Sequence, residues 1–160
     1  MIDLSVQTVC VTFEETTDWG GIPVTVSCGD QSVSLCAIDC CDPFPAVLRW
    51  LEAITTGVLG CYFDIDEEGT DKQLTLKQYC DDSWFSIVNT YDEEEIFIRA
   101  VVDPVQLVQA FYMGMKEYAQ SPLYIKAHWH NETELHFGCD LSELKSSMIV
   151  NWLSERRSHE

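Results

Sequence analysis

Hydrophobic and polar positions alternate from the start of the chain: Ile2, Leu4 and Val6 share one phase, and Val9, Val11 and Phe13 share the other. Successive side chains of a strand point to opposite faces, so the change of phase predicts one long strand over 2–14, broken by a bulge or kink near Gln7-Thr8. Asp18-Trp19-Gly20-Gly21 reads as a turn. Ile22, Val24, Val26 and Cys28 then alternate, and Cys28-Gly29-Asp30 leads to a third strand over 32–38. Three consecutive strands predict an antiparallel meander.

The period lengthens after Asp42. Asp42 as cap, Pro43 and Pro45 at the entry, Val47, Trp50, Leu51 and Ile54 at helical spacing, and Gly57 past the end predict a helix with one face on the sheet. Strands are expected at 58–65, 73–79, 84–89 and 95–102, joined by acidic turns. Asp103-Pro104 opens a second helix with Val105, Val108, Phe111, Tyr112, Met115 and Tyr118 on its core face, and Ser121-Pro122 stops it. Residues 123–130 and 133–137 read as a hairpin turning at Asn131-Glu132. Asp140-x-x-Glu143 is a capping box expected to open a last helix whose stripe is Leu141, Leu144, Met148 and Trp152.

Runs of strands separated by single helices predict an α+β fold with a mainly antiparallel sheet of about eight strands and three helices. The expected organisation is a single domain over 1–155 and a frayed polar tail over 156–160.

Charge changes this picture more than composition does. The 160 residues carry a formal net charge of -18. Residues 1–95 hold 19 acidic residues against three basic ones, a net of -16, whereas residues 96–160 come to -2. A surface so charged repels phosphate, which argues against direct binding of nucleic acid or an anionic membrane and favours a basic protein partner. Met1 to Val6 contain no basic stretch followed by an apolar run, and no apolar run is long enough to span a bilayer, so a cytoplasmic location is expected. The eight cysteines then read as reduced, packed thiols.

Each patch of candidate chemistry competes with a plainer reading. Asp64, Asp66 and Glu68 take the first, third and fifth positions of a calcium loop, with Gly69 sixth. Thr75 stands where a bidentate carboxylate is required and the flanks read as strands, so a hairpin turn is favoured. His128, His130 and His136 are expected on one outward strand face near Cys139, a possible zinc set or thiol nucleophile. No second metal motif or orienting residue accompanies them, and an exposed polar face with an inert cysteine is favoured. Cys28, Cys36, Cys40 and Cys41 lack the paired spacing of a zinc site and read as packing residues. No cofactor is expected.

Acidity itself remains, in four clusters: Glu14, Glu15 and Asp18; Asp64, Asp66, Glu67, Glu68 and Asp71; Asp81 and Asp82; and Asp92, Glu93, Glu94 and Glu95. Trp19, Trp84 and Tyr91 lie beside them as candidate aromatic anchors. Solubility needs a net charge of magnitude only about 2–8 in a small domain, so a binding function is expected to sustain this excess. The expected function is non-enzymatic: an inhibitor in the manner of an immunity protein, neutralising a basic nuclease or toxin. The alternatives are a DNA-mimic inhibitor of a nucleic-acid-binding complex, as in phage anti-defence, and a metal or thiol enzyme built on His128, His130, His136 and Cys139.

Overall fold

A computed structural model describes residues 4–15, 17, 21–37, 43–58, 60–67, 69–92, 95–124, 143 and 145–157. The architecture is α+β. Strands β1 (Val9–Phe13), β2 (Ile22–Cys28) and β3 (Gln31–Ala37) form the antiparallel meander β1-β2-β3, and helix α1 (Phe44–Thr55) follows. Strands β4 (Cys61–Asp66), β5 (Asp71–Tyr79), β6 (Asp82–Asn89) and β7 (Ile96–Val101) form a second meander, followed by α2 (Pro104–Gln120) and α3 (Ser147–Arg157).

The described residues hold seven antiparallel strands in two sheets, of three and four strands, where a mainly antiparallel sheet of about eight is expected; two of the expected strands fall within 123–137. The α1 connection separates β3 from β4, which do not pair, and alternation within a strand carries no record of its neighbour. The expected hairpin over 123–137 lies outside the described residues from 125 onward.

Of the strand expected over 2–14 only Val9–Phe13 forms; residues 4–6 lie in no strand, and Gln7 makes an isolated bridge. The Gln7 N–H donates to Val101 O at 2.8 Å in a parallel bridge to the second sheet, and the chain then enters β1 in the first. Leu4 and Val6, on the near side of the break, are exposed. One hydrophobic core joins both sheets and the helices, with the Trp50 ring of α1 against Phe63 of β4, Phe85 of β6 and Phe111 of α2, and Phe85 against Phe111.

Side chains secure the strand edges, where unpaired backbone groups would otherwise template association. The Gln106 amide of α2 accepts from Val9 N–H and donates to Val9 O at 2.8 and 2.7 Å, copying a strand pairing on β1. Gln31 does the same for Arg99 on β7, and Trp50 Nε1 donates to Cys61 O on β4. Gly114 brings α2 against β1 so closely that a Cβ there would stand 3.0 Å from Val11 O.

Helix ends follow local chemistry in part. Asp103 caps α2, its carboxylate accepting from Val105 N–H at 3.0 Å. At α1 the residue in the cap position is Pro43, and Asp42 lies outside the described residues. The last described helix opens at Ser147; of the expected capping box, Glu143 sits in a turn and Asp140 lies outside the described residues. Ser146 does the capping. Its hydroxyl accepts from Ile149 N–H at 3.3 Å and donates to Glu52 of α1 at 2.7 Å, while its own N–H donates to Tyr112 Oη. The buried stripe is therefore Ile149 and Leu153, leaving Met148 exposed and Trp152 half-buried; Leu141 and Leu144 lie outside the described residues. The helix runs through Arg157, with Arg156 stacked over the Trp152 ring, into the segment read as tail. Among the described residues no helix is long and apolar enough to cross a membrane.

Candidate functional site

An antiparallel meander sends alternate turns to opposite ends of its sheet. The β4–β5 turn (67–70) and the β6–β7 turn (90–95) therefore share one end, and the Cys80-Asp81 turn between β5 and β6 occupies the other. This separates the acidic clusters. Asp64, Asp66 and Asp71 lie at the same end as Asp92 and Glu95, whereas Asp81 and Asp82 stand a β5 length away, about 25–30 Å at the usual rise per residue.

Backbone and side-chain bonds tie the two turns of the acidic end to each other. Asp66 pairs with Asp71 across the β4–β5 ladder, and Thr90 donates from its N–H (3.0 Å) and its hydroxyl (3.2 Å) to Asp71 O. Tyr91, 73% exposed, donates its hydroxyl to Asp71 Oδ2 at 3.3 Å. The Asp71 charge raises the Tyr91 phenol pKa above its ordinary value, assisted by that hydrogen bond, by slight desolvation and by Asp66. Glu95 accepts from Asn89 Nδ2 at 2.6 Å, and Asp64 accepts from Gln73 Nε2 at 3.0 Å. Tyr62, 59% exposed, lies on the same strand face as Asp64.

Glu14 belongs to the first sheet, at the level of the Cys36–Glu67 contact but two strands from the β3 edge. The Glu14 N–H bonds Pro23 O, Pro23 pairs with Cys36, and the Cys36 N–H reaches Glu67 at the β4–β5 turn. Glu14 is exposed and its carboxylate also accepts from the Thr25 hydroxyl.

Two expected contact residues have other surroundings. Glu67 is no surface carboxylate: its side chain is 7% exposed, paired with Lys72 and bonded to the Cys36 N–H. Trp84 is half-buried on the outer face of the second sheet, opposite Lys77 and Val101, and away from the acidic end. Asp18, Trp19, Glu68, Glu93, Glu94, His128, His130, His136 and Cys139 lie outside the described residues, so the histidine–cysteine set has no geometry here.

The region read against a calcium loop is a hairpin turn flanked by paired strands, and among the described residues no group of three or more His, Cys, Asp or Glu could hold a metal ion. Burial pushes up the thiols of Cys28, Cys36 and Cys61; Cys10 adds to the effect on Cys28, and at Cys36 the Glu67 carboxylate raises while Lys72 lowers. Cys28 packs in the core, Cys36 is partly buried, and Cys40 and Cys41 lie outside the described residues.

Sequence reading missed Tyr62 and the role of Asn89 as a strut for Glu95. Tyr62 could have been found from its phase, because it alternates with Phe63 and shares parity with Asp64 and Asp66. No known protein family, curated protein or solved structure matches this chain.

Proposed function

We propose that this chain is an acidic protein-binding inhibitor, immunity-protein-like, that works in the cytoplasm and neutralises a basic partner such as a nuclease or toxin. The observation that carries the reading is the gathering of Asp64, Asp66, Asp71, Asp92 and Glu95, with Tyr62 and Tyr91, at one end of the second sheet. Carboxylates so placed raise each other's electrostatic energy unless a cation arrives, and they steer a basic surface toward themselves. The two tyrosines add rigid contact area with few rotatable bonds, as interface anchors do.

The test is affinity capture from extracts of the native host, followed by assay of the captured protein. The expected result is a basic protein whose binding weakens as salt rises and whose activity stops when this chain is added in equal amount. Capture of a nucleic-acid-binding complex that double-stranded DNA displaces would instead establish the DNA-mimic mode. A chain that captures no basic protein and turns over a substrate would overturn both.

A further inference from the structure

The Glu67 carboxylate holds parts of both sheets. It sits in the β4–β5 turn, pairs with Lys72 of β5 and accepts from the Thr70 hydroxyl. Its other oxygen accepts from the Cys36 N–H at 2.6 Å. Cys36 lies opposite Pro23, and its N–H points away from β2 along the outer edge of β3, where no other described strand pairs with the first sheet. Lys72 is itself nearly enclosed, its side chain 12% exposed and its ammonium 5.4 Å from the centre of the Phe97 ring, beside the β6–β7 bulge. Opening the β4–β5 turn would thus leave an enclosed ammonium without its counter-charge and the β3 edge without its acceptor. Both losses fall on one event.

We propose that Glu67 and Lys72 form a latch that makes the β4–β5 turn and the outer edge of β3 open and close as one cooperative unit. The proposal does not depend on what binds the acidic end. It makes the end of the second sheet and the edge of the first a single conformational element, so that a change at either is felt at the other.

Residue-resolved hydrogen exchange of the native protein under increasing urea tests this directly. An amide that exchanges through partial opening shows its own free energy and urea slope, and amides of one opening unit share both. The Cys36 amide, which rests on Glu67, and the Thr90 amide, which rests on Asp71 O beside the turn, are expected to share one slope, lower than that of the central amides of Val26 and Ile98. Unequal slopes for Cys36 and Thr90 would overturn the latch.

Lys72→Met then isolates the ion pair. It should accelerate exchange at Cys36 by at least about tenfold relative to Val26, because the Glu67 carboxylate stays enclosed without its cation. Adding Glu67→Gln should bring Cys36 back toward the unmodified rate, since a neutral amide can still accept its N–H. An unchanged Cys36 rate in Lys72→Met, or an equal rise at Val26, would show that the pair does not hold the edge.

Discussion

Tyr91 is the residue at which the acidic end reports its own field. Because Asp71 raises its pKa, the neutral phenol is favoured in the folded chain; that contribution is complete below the ordinary tyrosine value near 10 and is lost as pH rises through the folded value. Ultraviolet titration, with Tyr91→Phe subtracted, should place Tyr91 above an ordinary tyrosine, and Asp71→Asn should lower it. An unchanged titration in Asp71→Asn would remove the pairing. Gln106 poses a different residue question, since its amide supplies both bonds to Val9 that a neighbouring strand would supply. Gln106→Leu keeps the volume and loses both, and denaturant unfolding should show a loss of about 1–3 kcal/mol.

Among the elements, α2 and α3 show what sequence can and cannot carry. The α2 start was legible because Asp103 and Pro104 act on their own next residues, and its core face because Val108, Phe111, Tyr112, Met115 and Tyr118 follow one period. The α3 start was not, because Ser146 caps it with help from Glu52 and Tyr112, which are distant in sequence. Ser146→Ala should cost about 0.5–2 kcal/mol from the lost cap, with the loss seen in thermal or denaturant unfolding. Packing of α2 on β1 depends on Gly114 in the same way, invisible in a single sequence. Gly114→Val should cost about 1–3 kcal/mol, because the side chain would press on the Val11 carbonyl and a strand backbone yields little.

At the scale of the molecule, the β4 to β7 strands were each legible from alternation and turn chemistry. The division into two sheets was not, since it depends on which strands fail to pair. The acidic residues could be listed from sequence, but their grouping could not: Asp64 and Asp92 belong to the same end of the sheet, Asp81 to the other, and Glu67 is turned inward by the Cys36 N–H and Lys72. Charge counted along the chain treats all of them alike.

That distinction between total charge and placed charge is what the functional account rests on, and two double variants with equal charge loss separate them. Asp64→Asn with Asp66→Asn neutralises the proposed binding end, and Asp81→Asn with Asp82→Asn neutralises the opposite end. Binding of each to the captured basic partner, measured at one salt concentration, is the direct comparison. The account predicts that the first pair weakens binding at least about tenfold, while the second leaves it within about twofold. Equal losses in the two variants, or a larger loss at Asp81 and Asp82, would contradict it.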